Sequence, residues 1–103
     1  MISVNVSFMG KDVKSLTVSG HANYDEYGKD IVCAGVSAIV VGGLNALLNE
    51  DKKAIDYKCK DGYAYVFVKD IDNNNINMIL DVITTQLYTI EESYPKFIKI
   101  IEK

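Results

Sequence analysis

The chain has 103 residues, a formal net charge of -3 and a hydrophobic fraction of 49%. This length suits one hydrophobic core, so we expect residues 1–103 to form a single domain. The negative net charge gives no sign of a basic surface that would bind phosphates, which argues against direct nucleic-acid binding. The first residues lack the pattern of a secretory signal, which favours a cytoplasmic location.

The first half of the chain begins with the pattern of two strands and a loop. Apolar and polar residues alternate from Ile2 to Phe8, which predicts a half-buried strand. A second strand from about Val13 to Ser19 is expected to return beside it. Residues 21–29 have no apolar period and combine acidic, aromatic and glycine residues, so they predict an exposed loop.

A long apolar segment follows the loop. Residues Ile31–Leu48 are apolar nearly all round, and Asp30 is a suitable N-cap, so we expect a helix buried on more than one side. Its length approaches that of a membrane span, but its polar residues and glycines argue against one. Gly42 and Gly43 each cost about 1 kcal/mol in mid-helix. They indicate either a closely approaching neighbour or a local kink.

The second half of the chain has the pattern of a hairpin, a helix and a last strand. Residues 55–60 and 63–68 alternate around the turn Asp61-Gly62. Apolar residues then recur at helical spacing from the asparagines at 73–75 to about Ser93, and the isoleucine-rich tail 96–103 predicts a strand. The order ββαββαβ predicts an α+β fold, with two helices on one face of a mostly antiparallel or mixed sheet.

The single histidine, His21, and one of the two cysteines, Cys33, flank the predicted loop. Cys33 would be the third helical residue, where the partial positive charge of the helix start favours a reactive thiolate. The first-turn N–H groups of Cys33 and Ala34 are candidates for an oxyanion hole. An imidazole near the sulfur would accept its proton and later protonate the leaving amine.

Other roles stay open on the residues alone. Asp30 either orients His21 or caps the helix, and capping is favoured. Ser37, one turn after Cys33, either bonds within the site or satisfies a backbone carbonyl. Cys59, on the apolar side of its strand, is expected to be a core thiol. One histidine and two cysteines without close spacing do not favour a metal site, and no cofactor is expected.

The stretch SGHANYDEYGKDIVCAGVSAIV, residues 19–40, resembles the bacterial ribosomal-processing cysteine protease family, called Prp or YsxB-like. The similarity is concentrated in G-H-A at 20–22 and D-I-V-C-A-G-V-S-A at 30–38. It implies that His21 and Cys33 are the catalytic pair. It also implies that Asp30 and Ser37 are further active-site residues, and that Gly20 supplies backbone freedom where the loop leaves its strand.

The resemblance also implies a substrate and an assembly. It implies removal of a short N-terminal extension from a large-subunit ribosomal protein, with cutting after aromatic residues and before a small one, by a homodimer. Tyr24 and Tyr27 would pack against aromatic side chains of the peptide or simply be exposed, and Asp25 and Glu26 would favour a lysine-rich substrate. The alternatives are a non-catalytic ribosome-assembly adaptor that binds an extended peptide, and a thiol enzyme with a closed pocket for a small molecule.

Overall fold

The computed structural model describes residues 1–103 and contains one five-stranded sheet and two helices packed on one of its faces. The predicted α+β class and the order ββαββαβ are confirmed. The long helix continues to Asp51 rather than ending at Leu48, and a short 3-10 turn follows it. The elements are β1 (Ile2–Met9), β2 (Asp12–Ser19), α1 (Ile31–Asp51), β3 (Ile55–Lys60), β4 (Tyr63–Val68), α2 (Asn74–Ser93) and β5 (Ile98–Glu102).

The sheet is mixed, with the strand order β3-β4-β2-β1-β5. Only β1 and β5 pair in parallel, and the other neighbours are antiparallel. Because β4 lies beside β2, the turn between β3 and β4 comes next to the end of β2. The backbone N–H of Gly20 donates to the carbonyl of Gly62 at 2.9 Å across this junction. The fold therefore brings two hairpins together where the loop begins.

The core lies between the sheet and the two helices. Alternate residues of the central strands point into it, apart from a register shift between β1 and β2 at Ser7 and Phe8. Val4 and Val6 of β1 are almost completely buried. The helices contribute Leu47 from α1 and Leu80 and Leu87 from α2, each without exposed surface. The apolar side chains at alternate strand positions pack against those at helical spacing on α2 and form one apolar layer.

The buried residues of the helix α1 lie along one stripe, so the prediction that it is buried on more than one side, made from its nearly all-apolar sequence, is wrong. By length and composition alone it would be able to cross a membrane, as many core helices of soluble proteins would, and here it packs against α2 and the sheet. A Cβ on Gly43 would lie 2.5 Å from Ile83 of α2, so the closely approaching neighbour predicted for the glycine pair is present. Gly42 faces open space.

Cys59 is not the buried core thiol that its strand pattern predicts. It lies on the helix-facing side of β3, opposite Ala64 of β4, but it is exposed. The reason is that β3 is an edge strand of which only Ile55, at the opposite end, is buried. The period of two predicted the correct side of the strand but not how far the helices cover it.

Candidate active site

A cavity of about 550 Å³ lies where α1 begins, between the end of β2, the loop and the turn that joins β3 to β4. All the residues predicted to form the site line this cavity except Tyr24 and Glu26. Those present are Gly20, His21, Asp25, Tyr27, Asp30, Cys33, Ala34 and Ser37. The two halves of the predicted site, twelve residues apart in sequence, therefore meet in space.

Asp30 ties the loop to the first turn of α1. Its Oδ1 accepts a hydrogen bond from the N–H of Cys33 at 3.0 Å, and its Oδ2 accepts one from the N–H of Tyr24 at 2.9 Å. The first of these bonds makes Asp30 the N-cap of α1. Neither oxygen is bonded to His21, so capping is the role that the structure shows for this carboxylate.

The environment of Asp30 favours its charged form. Burial, the largest single influence, acts to raise the pKa of this carboxyl group, but its hydrogen bonds, first those from the N–H groups of Cys33 and Tyr24, together lower the pKa below its ordinary value. The side chain of Cys33 and the backbone of Asp25 act in the same direction. The start of α1 is therefore held by an ionised carboxylate at neutral pH.

The sulfur of Cys33 receives a backbone hydrogen bond from the loop. The N–H of Ala22 donates to Sγ at 3.3 Å, and Ala22 is itself buried. Because Ala22 directly follows His21, the peptide bond between these two residues lies against the sulfur. An N–H aimed at sulfur stabilises negative charge on it, and a thiolate is the nucleophilic form of cysteine.

The imidazole of His21 lies against Gly62 in the turn between β3 and β4. A Cβ on Gly62 would come within 2.9 Å of Nε2 and 3.3 Å of Cε1, and Gly62 has a φ of +72°. No hydrogen bond joins His21 to Cys33 in this structure, although both line the cavity. Catalytic hydrogen bonds are often long in unliganded enzymes and shorten once substrate binds.

Gly20 has the backbone freedom expected of it. Its φ is +93°, a conformation that favours glycine, and a Cβ there would lie 2.6 Å from the carbonyl oxygen of Met1. Both the conformation and the space thus exclude a side chain. This glycine lets the chain leave β2 and place His21 at the cavity.

The two N–H groups predicted to form an oxyanion hole already have acceptors. That of Cys33 donates to the Asp30 carboxylate, and that of Ala34 donates to the Asp30 carbonyl at 3.0 Å. A developing oxyanion would have to compete with Asp30 for either donor. The oxyanion role of Cys33 and Ala34 stays a prediction on this geometry.

The loop side chains divide into two groups. Tyr24 packs edge-on against Tyr94 and Phe97, with ring centroids 5.6 and 5.1 Å apart, and does not line the cavity. Tyr27 lines the cavity and is 95% exposed. Of the two acids, Asp25 lines the cavity, whereas Glu26 forms an exposed ion pair with a lysine of the loop at 2.8 Å. Of these four loop side chains, only those of Tyr27 and Asp25 therefore line the cavity.

The hairpin of β3 and β4 adds cavity residues that no sequence pattern predicted for the site. Cys59, Asp61 and Gly62 all line it. The Asp-Gly turn itself was predicted, but its contact with His21 depends on β4 pairing with β2. No local pattern in the sequence specifies that pairing.

Comparison with known proteins gives a consistent result. The family model described as Cysteine protease Prp matches residues 1–99. The ribosomal processing cysteine protease Prp of Mycoplasma genitalium is 38% identical over 104 residues, covering 100% of this chain and 97% of the relative. The Staphylococcus aureus protein of that name is 36% identical over 101 residues, covering 96% and 94%. A crystal structure of S. aureus Prp with a covalently linked product peptide has a TM-score of 0.94 and 34% identity, covering both chains completely.

Proposed function

The chain belongs to the Prp family of cysteine proteases, and we propose that it removes a short N-terminal extension from a ribosomal protein of the large subunit. Its relatives are named for processing a ribosomal protein, and the S. aureus relative holds a covalently linked product peptide. The observation that supports the proposal for this chain is the Ala22 N–H directed at the sulfur of Cys33, because it brings the backbone next to His21 into contact with the proposed nucleophile.

In the proposed mechanism, Cys33 is the nucleophile and His21 carries the protons. Sγ attacks the peptide carbonyl carbon as His21 accepts the thiol proton, and a C–S bond forms. His21 then gives that proton to the leaving amine as the C–N bond breaks. Water, deprotonated by His21, attacks the thioester and releases the new carboxyl group, and the proton returns to sulfur.

The walls of the cavity suit the expected cleavage site. Val18, Val36, Val40 and Ala64 give it an apolar side, which accommodates an aromatic side chain before the cut. Tyr27 of the loop also lines the cavity, and its exposed ring is free to pack on the same aromatic side chain. Among the loop acids, Asp25 is placed to attract a lysine-rich segment after the cut.

We further propose that the chain acts in the cytoplasm as a homodimer. On α2, Met78 and Val82 are 62% and 49% exposed and lie four residues apart on one side of the helix. A second copy of the chain covers this apolar side of α2. Val82→Asp is expected to convert the dimer to a monomer in sedimentation velocity, and an unchanged sedimentation coefficient would exclude this surface.

Cleavage of a precursor tests the catalytic assignment. A recombinant ribosomal-protein precursor with its N-terminal extension is incubated with wild type, Cys33→Ala, His21→Ala and Cys59→Ala, and its mass is followed. Cys59→Ala is the matched control, because Cys59 is the other cysteine of the same cavity. We expect one new mass with wild type and Cys59→Ala only. Cleavage that survives Cys33→Ala, or is lost with Cys59→Ala, would contradict the assignment.

A further inference from the structure

The face of the sheet turned away from the helices carries a column of aromatic rings. On β4 the side chains of Ala64, Val66 and Val68 are buried under the helices, so the alternate residues point the other way. These alternate residues are Tyr63, Tyr65 and Phe67, all partly exposed. The neighbouring strand β2 presents Ser15, Thr17 and Ser19 on the same face.

Lysines flank the rings. The register places Lys60 opposite Tyr63 and Lys58 opposite Tyr65. The Lys60 ammonium lies 5.7 Å from the centre of the Tyr63 ring, and that of Lys14 lies 4.6 Å from the centre of the Phe67 ring. Two of the three rings therefore have an ammonium group over them, and the third ring, that of Tyr65, has Lys58 as its neighbour on β3.

The acidic side chain in this row is already partnered. Asp56, opposite Phe67, lies 3.6 Å from the ammonium of Lys69. The outer sheet face, defined as Lys14, Lys58, Lys60, Tyr63, Tyr65 and Phe67, is thus positive on a chain whose net charge is -3. The expectation that this chain does not contact nucleic acid was based on that net charge, which does not describe how the charges are distributed.

We propose that the outer sheet face binds single-stranded RNA. Nucleobases stack on the rings, and the lysine ammonium groups lie beside the phosphates. The neighbouring strands β2 and β1 add hydroxyl and amide groups, among them those of Thr17 and Asn5, that match a ribose 2′-hydroxyl. An acidic peptide would use the lysines but would leave the rings without a role, so RNA accounts for more of this surface.

Two members of the face also border the catalytic cavity. Tyr63 and Lys60 line it, whereas Tyr65, Phe67, Lys58 and Lys14 do not. The test therefore uses Tyr65 and Lys58. Because neither side chain lines the cavity that contains His21 and Cys33, the RNA proposal does not depend on the proposed protease function.

The experiment measures binding of the full chain to fluorescently labelled single-stranded RNA of mixed sequence by anisotropy. Tyr65→Leu is expected to weaken binding by about ten- to a hundredfold. Lys58→Gln should lower the slope of log affinity against log salt by about 0.7. The matched controls are Tyr57→Leu, an exposed tyrosine on the opposite face of β3, and Lys52→Gln, an exposed lysine after α1. Both controls should bind RNA like wild type.

Parallel arms use DNA of the same sequence, duplex RNA and a poly-glutamate peptide. Tighter binding of single-stranded RNA than of any of these supports the proposal. Equal affinity for the DNA would overturn the choice of RNA, and preference for poly-glutamate would overturn nucleic-acid binding. Binding that Tyr65→Leu does not weaken would also overturn the proposal. Cooperative urea unfolding of Tyr65→Leu and Lys58→Gln shows that both variants are folded, whatever the result of the cleavage assay.

Discussion

Replacing Gly62 with alanine should slow peptide cleavage while leaving the protein folded. The added Cβ would start 2.9 Å from Nε2 of His21, whereas ordinary contact begins at 3.4 Å, so the imidazole has to move by about half an ångström. Misplacing a reacting group by about 1 Å costs about 100-fold in rate. Half that displacement predicts a loss of roughly tenfold in kcat/KM, or about 1.4 kcal/mol of transition-state stabilisation.

The same substitution also strains the backbone, and Gly10 provides the matched control. Gly10 lies in the other hairpin turn with a φ of +63°, close to the +72° of Gly62, but a Cβ there would meet nothing within 4 Å. Alanine at either position should cost about 1 kcal/mol of stability from the left-handed conformation. The crowding of His21 is present only at Gly62.

The assay compares kcat/KM of Gly62→Ala and Gly10→Ala on one precursor peptide, with urea unfolding of both. We expect similar losses of stability and a loss of activity in Gly62→Ala alone. In the background of His21→Ala, the Gly62 substitution should have no further effect on the residual rate. Wild-type kcat/KM in Gly62→Ala, or an equal loss in Gly10→Ala, would refute the reasoning.

Three further predictions concern the ionised cap, the helix packing and the loop. Asp30→Ala should lower stability at neutral pH by about 1 kcal/mol in urea unfolding. Because the folded-state pKa of Asp30 is lowered, the ionised carboxylate contributes fully to the free energy of unfolding above the ordinary carboxyl pKa, and this contribution is lost as the pH falls through the folded-state pKa. The free energy of unfolding of Asp30→Asn should therefore decrease less steeply in acid than that of wild type. An identical pH profile of stability would contradict this. Gly42→Ala, in open space, should raise the thermal midpoint, whereas Gly43→Ala, against α2, should lower it; midpoints that move together would contradict the packing. Tyr27→Ala should raise KM for the peptide with little change in stability, and Tyr24→Ala should lower stability; the reverse pattern in these two assays would exchange their roles.

Local patterns in the sequence were sufficient to predict the strands and helices, and also the part of the site at the start of α1. The alternation on β1 and β4 and the Asp30 cap depend on neighbours a few residues away, and all three are present. The meeting of His21 with Cys33 was expected from one short loop and a family resemblance. The cavity that both residues line agrees with that expectation.

The parts that were missed depend on contacts between distant segments. Gly62 lies against His21 only because β4 pairs with β2, and Cys59 is exposed only because β3 is an edge strand. Tyr24 turns toward Tyr94 and Phe97 because the chain after α2 passes beside the loop. Sequence periodicity gives the face of an element but not which element lies next to it.

The parallel pairing of β1 with β5 has a consequence for how this protein folds. Ile2 aligns with Ile98 and Val6 with Glu102, so the sheet is completed by segments from opposite ends of the chain. Contacts of such long sequence separation form slowly, because a large loop has to close before they stabilise the chain. Until β5 arrives, β1 is an unpaired edge open to the strands of other chains. We therefore expect aggregation during refolding to depend steeply on protein concentration, and shortening the chain before Ile98 to prolong the vulnerable stage.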